Sequence, residues 1–361
     1  MLALLSILSG MAILVFGAEA LVRGASRLAA AAGVSSLVIG LTVVAYGTSA
    51  PEMAVSVGAA ITGSGEVAVG NAVGSNIFNI LAILGVSALF GGLVVHQRLV
   101  RVDVPILIVV TLLTWWAASD GLLSVLEGVL LFLGIVGYSV LAYVLGRREP
   151  PEVVAEYDEA FGEDEAPPRG WRGAVGLVLG GLVALVLGSQ LLVAGAIDLA
   201  EALGVSELII GLTVVAAGTS LPELATSVVA TRRGERDIAV GNIVGSNFFN
   251  LLAVLGASAV AGGGLAVPGA TISTDLPVSL LVTLVALPAL ALGLYVARWE
   301  GVVLLVAYMA YVGFLILDGT GSPSAGTTRI WLLVGLGATA LALLVVGVVQ
   351  GRRADATTGP G

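Results

Sequence analysis

The chain has no cysteine, no lysine and a single histidine, His96, and it carries little charge of either sign. Without cysteine there are no disulfides, no thiol catalysis and no thiolate metal site. One histidine leaves neither a His-cluster metal centre nor Ser-His-Asp chemistry. Without lysine, and at a net charge of −9, there is no basic surface for nucleic acid. Charged residues make up 11% of the chain, against about 25% in a soluble domain. That leaves too little polar surface to face water.

What is present is apolar: 58% hydrophobic residues and 50 glycines in 361 positions. Glycine at this level suits close helix packing in a bilayer. Apolar runs of about 20 residues span the hydrocarbon core. Eleven are read, over 3–22, 36–60, 67–91, 104–118, 121–145, 173–197, 207–230, 238–260, 276–297, 300–317 and 330–350. Trp115 and Trp116 close the short fourth run as an interfacial belt would. The first run is not a signal peptide, because no positive charge precedes it and Arg23 is the first.

With the N-terminus outside and the C-terminus inside, fourteen of the fifteen arginines fall on the inner side and only Arg329 outside. This is the bias a correct topology shows. Eight acids crowd the connector 147–172, but without the spacing of a calcium loop it reads as a solvated linker.

The chain repeats itself at an offset of 171 residues. Gly33–Gly85 aligns without a gap on Gly204–Gly256, with 35 of 53 positions identical, and the similarity fades after Gly85. Five spans per unit is an odd number, so the second copy enters the membrane inverted. That is an architecture of secondary transporters with a midplane site. The expected organisation is all-α and polytopic: a first repeat over 1–146, the linker 147–172, a second repeat over 173–320 and an additional helix over 329–353.

The strongest identity lies inside the spans. GLTVVAYGTSAPE (Gly40–Glu52) and AVGNAVGSNIFN (Ala68–Asn79) recur as GLTVVAAGTSLPE (Gly211–Glu223) and AVGNIVGSNFFN (Ala239–Asn250). Pro51 and Pro222 each lack an amide hydrogen, which frees the carbonyls of Gly47 and Gly218. Freed backbone in a membrane survives only where it lines a cavity or is buried in protein. Carbonyls near Ala45 and Ala216, with Thr48, Ser49, Thr219 and Ser220, are hard oxygen donors of the kind Ca2+ takes.

Glu52 and Glu223 add carboxylates, and ionisable groups at mid-bilayer mark ion pathways. Equivalent inverted positions would bring them to one centre. Ser75 and Asn79 are four apart on one helix face, as are Ser246 and Asn250. Glu19 and Arg23 form a structural i,i+4 pair. His96 sits in an inner loop without an assigned role. Gly10, Gly17 and Gly24 match Gly181, Gly188 and Gly195 as seven-residue stripes. They are open to two readings, tight packing or a surface on which the first and sixth helices slide past the bundle.

On the paired GTSxPE and GSNxxN blocks the sequence resembles the sodium/calcium exchanger family, prokaryotic type, within the calcium/cation antiporter superfamily. The resemblance covers the ten-helix core, roughly 1–320. It implies two inverted five-helix repeats that bind three Na+ and one Ca2+ as transported ions, with no cofactor and no obligatory protein partner. It also implies Glu52 and Glu223 as shared central ligands. Thr48, Ser49, Thr219 and Ser220 would line the outer sites with the carbonyls of Ala45 and Ala216, and Ser75, Asn79, Ser246 and Asn250 would complete the cluster. The metal itself would rest on Glu52, Glu223, Thr48 and Thr219. Some prokaryotic relatives and the potassium-dependent branch have aspartate where this chain has Asn250. That leaves two formal charges in the cluster and argues against K+ co-transport. The eleventh span lies outside the family core.

Two buried carboxylates without a counter-ion resist crossing a low-dielectric region, which forces exchange over leak. One Ca2+ balances them, and three Na+ leave one positive charge. Two protons would also balance them, so Ca2+/H+ exchange is the alternative. No enzymatic activity is expected, because nucleophile and base are missing. A channel is disfavoured by the inverted repeat.

Overall fold

A computed structural model of the chain describes residues 2–147, 171–203, 216–291, 294–320, 322–339 and 342. The linker, the start of the seventh span and the end of the eleventh lie outside the described residues. Helix α1 covers Leu2–Ala32, and α2 is a pair of segments, Ser36–Thr48 and Ala50–Ile61, bent by 46°. Then follow α3 (Gly65–Gly91), α4 (Leu99–Asp120), α5 (Val125–Gly146) and α6 (Trp171–Ala202). Helix α7 is described over Leu221–Arg232, preceded by the turn Ala216–Gly218. Helix α8 covers Arg236–Ala261 and α10 Arg298–Gly319. Between them, π-helical Thr271–Asp275 runs into Leu276–Ala291 as α9. An eleventh helix, α11, is described over 325–339. The chain is a multi-pass, all-helical membrane protein.

Two spans differ from their expected bounds for the same reason. The first run, 3–22, is the apolar part of a 31-residue helix, and the fourth, 104–118, is the middle of Leu99–Asp120. At 1.5 Å per residue, α1 and α6 exceed the roughly 30 Å hydrocarbon core. Their polar ends, with Glu19, Arg23 and Arg27, therefore continue helically beyond the apolar run.

Helices α3 and α8 are the centre and the long helices are the shell. The apolar window of α8 is 94% buried, against 28% for α6. Two reciprocal strand pairs tie the repeats together: β1 (Leu93–Val94) with β4 (Tyr295–Val296), and β2 (Leu122–Leu123) with β3 (Leu265–Ala266). The repeat continues past Gly85, where sequence similarity fades, once single-residue shifts in register are allowed. π-helical Leu99–Asp103 matches Thr271–Asp275. The Tyr138 hydroxyl donates to Asp103 Oδ1 (3.0 Å), and Tyr311 donates to Asp275 Oδ1 (2.9 Å). Both α5 and α10 start on a glutamate that accepts the backbone amide three residues back, Glu127 from Ser124 and Glu300 from Ala297.

Glycine contacts cross between the halves. A methyl on Gly128 of α5 would sit 2.9 Å from the Gly256 carbonyl of α8, and one on Gly301 of α10 would sit 2.6 Å from the Gly85 carbonyl of α3.

The two glycine stripes face each other. A methyl on Gly17 would lie 2.9 Å from the Leu185 amide, and one on Gly188 would lie 2.8 Å from the Leu14 amide. The stripes thus join α1 to α6, as the packing reading has it. Lipid tails are as apolar as side chains, so the pair is held by the close backbone approach that glycine permits.

Candidate ion-binding site

The break in α2 falls at Ser49 (φ −83°, ψ 10°), and Pro51 opens the next segment. Ser220 (φ −90°, ψ 9°) and Pro222 repeat this before α7. Each break places a glutamate, Glu52 or Glu223, in the first turn of a new helix, where the helix dipole favours negative charge. Both are buried, at 0% and 1% exposure.

The carboxylates are held crosswise. Ser49 Oγ donates to Glu223 Oε1 at 2.7 Å, and Ser220 Oγ donates to Glu52 Oε1, also at 2.7 Å. A serine from each repeat thus serves the other repeat's glutamate, and the two acids share one centre. The second oxygen of each, Oε2, has no hydrogen-bond donor among the described residues. Buried anionic oxygens left in this way cost several kcal/mol unless a cation meets them.

The remaining expected residues gather around this centre. Ser220 Oγ also lies 3.2 Å from Ser75 Oγ, and Ser246 Oγ lies 3.5 Å from the Ala45 carbonyl. Asn79 Nδ2 donates to Asn247 Oδ1 (2.9 Å), which leaves its own Oδ1 unpartnered. Asn250 is 1% exposed with both amide atoms unpartnered. The Thr48 hydroxyl donates to Asn242 Oδ1 at 3.0 Å, and Thr219 to Asn71 Oδ1 at 3.4 Å. Ala216 opens its turn at the edge of the described residues, and its contacts lie outside them.

One expectation is corrected. The Ala45 carbonyl is not freed by Pro51, because it still accepts the Ser49 amide at 3.0 Å and the Thr48 hydroxyl at 3.2 Å. Proline removes only the donor to Gly47, four residues before it. With Ser246 Oγ also 3.5 Å away, the Ala45 carbonyl is not an orphan.

Six residues that the motif reading passed over build the supporting frame. Asn71 Nδ2 reaches the Glu52 carbonyl (3.3 Å) and Ser56 Oγ (3.0 Å). Asn242 Nδ2 reaches the Glu223 carbonyl (3.3 Å) and Ser227 Oγ (3.1 Å). Asn76 and Asn247 donate to each other's backbone carbonyls. Each is the same residue type 171 positions away in the other repeat, and that identity was the available signal.

Gly241 and Gly40 bring α8 and the first half of α2 into backbone contact. A methyl on Gly241 would lie 3.0 Å from the Leu37 carbonyl, and one on Gly40 would lie 3.0 Å from the Ile238 carbonyl. This contact seals the site toward the face carrying Arg98, Arg147, Arg233 and Arg298, the arginine-rich face. The matching segment of the second repeat lies outside the described residues.

The profile of the Sodium/calcium exchanger protein family matches residues 2–144 and 173–317, nearly all of the two repeats. The chain belongs to the sodium/calcium exchanger family. It is 42% identical over 316 residues to the putative antiporter CaxA of Alkalimonas amylolytica, covering 86% of this chain and 98% of that protein. It is 33% identical to the sodium/calcium exchanger MaX1 of Methanosarcina acetivorans, covering 85% and 97%. The solved structure of the sodium-calcium exchanger NCX_Mj soaked with Na+ and Sr2+ superposes with a TM-score of 0.72 at 29% identity, covering 86% and 98%. The protein is therefore a Na+/Ca2+ exchanger or a related cation/Ca2+ antiporter. Its family moves ions and does not catalyse a covalent reaction.

Proposed function

We propose that this family member exchanges Ca2+ for Na+ electrogenically, by alternating access to one central site built on Glu52 and Glu223. The observation that carries the reading is the pair of buried carboxylates, each with one oxygen satisfied by the opposite repeat and one left for a cation. One Ca2+ neutralises the pair, with Thr48 and Thr219 closest to it in role. The hydroxyls of Ser49, Ser75, Ser220 and Ser246, the carbonyls of Ala45 and Ala216 and the amides of Asn79 and Asn250 supply neutral oxygens for Na+. Such an array of neutral oxygens is superfluous for protons, which favours Na+ as the coupling ion.

Three Na+ on two carboxylates leave one net positive charge, so transport should move charge. On the positive-inside bias the arginine-rich face is cytoplasmic and the N-terminus lies outside. The bilayer and the two ions are the only partners this reading needs.

The test is Ca2+ uptake by proteoliposomes under an imposed Na+ or proton gradient. Outward Na+ gradients should drive uptake, and an inside-positive potential should accelerate it, because one net positive charge leaves per cycle. Uptake driven by ΔpH and indifferent to Na+ would replace Na+ with H+.

A further inference from the structure

The repeats match closely at the carboxylates but not around them. On the sealed side the first half of α2 carries Tyr46, whose hydroxyl lies 2.8 Å from Ser139 Oγ on α5. Ser139 gives its own proton to the Ile135 carbonyl at 2.7 Å, so Tyr46 is the donor. The Tyr46 ring stacks on Phe249 of α8, with centroids 4.9 Å apart. The position matching Tyr46 in the second repeat is Ala217, and the one matching Ser139, in the register set by Tyr138 and Tyr311, is Val312. Neither can make the bond.

A second difference lies behind the first. Helix α5 is itself anchored to α4, because Tyr138 donates to Asp103 and the Arg98 guanidinium sits 3.6 Å from Asp103 and donates to the Ala142 carbonyl. The tyrosine–aspartate bond recurs at Tyr311 and Asp275, but Ala270 occupies the position of Arg98. Tyr46 is therefore fastened to a braced helix, and its counterpart is fastened to nothing equivalent.

We propose that Tyr46 is a positioning residue that locks the first half of α2 onto α5, so that the two faces of the exchanger open with unequal ease. Opening toward the arginine-rich face must break the Tyr46–Ser139 bond, a bond that Ala217 and Val312 at the matching positions of the second repeat cannot make. The seal at Gly40 and Gly241 against α8 is the state this lock favours. Tyr46 also lies between Ala45 and Thr48, so the lock fixes the first repeat's share of the ion ligands. The proposal rests on the antiport reading for its meaning in transport, but not for its structural test.

The chain has no cysteine, so a single reporter can be introduced without removing any. Leu37 is fully buried in the sealed contact, and Leu37→Cys in the full-length purified protein would report its opening by its rate of reaction with N-ethylmaleimide. Loss of one neutral hydrogen bond shifts a two-state population by about fivefold. Tyr46→Phe keeps the ring stack and should raise the labelling rate by about that factor, with Ser139→Ala doing the same. The double variant should exceed neither single one, and Ser139→Thr should restore the native rate. In vesicles of known orientation, the half-saturating Ca2+ concentration at the arginine-rich face should fall by about fivefold in Tyr46→Phe with no such fall at the other face. A merely loosened fold would impair both faces alike.

Unchanged labelling in both Tyr46→Phe and Ser139→Ala, or multiplicative effects in the double variant, would overturn the proposal. The labelling experiment contains neither Na+ nor Ca2+ flux. It therefore stands or falls separately from the coupling ion.

Discussion

Replacing Glu223 with glutamine is the most informative single change. The amide has the shape of the carboxyl and retains an oxygen to accept the Ser49 hydroxyl, now at 2.7 Å. The crossed bond and the packing should therefore survive, and only the charge is lost. The oxygen that changes most is Oε2, which has no donor among the described residues and is the one left for a cation. Removing one member of a buried charge pair costs roughly 3–5 kcal/mol. At about 1.4 kcal/mol per factor of ten, Ca2+ affinity should fall roughly a hundred- to several-thousandfold. The assay is the Ca2+-dependent rise in melting temperature of the purified protein. A ligand at a hundred times its dissociation constant stabilises by about 2.7 kcal/mol. In Glu223→Gln the rise should move to correspondingly higher Ca2+, while the ion-free melting temperature holds or increases because two buried like charges have become one. Glu52→Gln should behave the same way, since its environment is the mirror image. A dissociation constant within threefold of native for either variant would refute the shared two-carboxylate site.

Gly17→Leu should lower the melting temperature through loss of the α1–α6 contact, because its side chain meets the Leu185 amide and the Gly181 carbonyl within about 3 Å. Overpacking typically costs about 1–3 kcal/mol, and a stable variant with only slowed turnover would favour the sliding reading. Asn242→Ala should weaken Ca2+ binding through loss of its bonds to the Glu223 carbonyl and Ser227, by about 1–3 kcal/mol in total. Asn71→Ala, which loses the matching bonds to the Glu52 carbonyl and Ser56, should lose a similar amount, and calorimetric titration measures both variants.

The two-copy pattern made much of this legible in advance. A proline–glutamate break inside an apolar span is ambiguous, but its recurrence at a fixed offset identified the carboxylates and the serines that hold them. Neither motif alone showed that Ser49 belongs to Glu223 and not to its neighbour Glu52. Crossed pairing is a property of the assembled halves. Asn71 and Asn242 were visible as identities, yet their task of gripping the glutamate backbone depends on how α3 lies beside α2 and α8 beside α7.

The later part of each repeat was hidden for a different reason. Insertions shift the register by single residues, and lipid-facing positions accept any apolar side chain, so the match survives at scattered positions such as Asp103 and Asp275, Tyr138 and Tyr311, Gly128 and Gly301 and the capping glutamates. The glycine stripes showed their spacing but not their partner. The Ala45 carbonyl was misjudged because the acceptor that loses the proline donor lies two residues further on, at Gly47.

The reciprocal contacts between halves carry a consequence for the single unit. Gly128 rests on Gly256, Gly301 on Gly85, and each two-residue strand finds its ladder in the opposite repeat. A five-helix fragment made alone would leave these surfaces facing lipid and its strand amides without acceptors. The other repeat is therefore part of the solvent in which each repeat folds, and neither half is a self-sufficient unit.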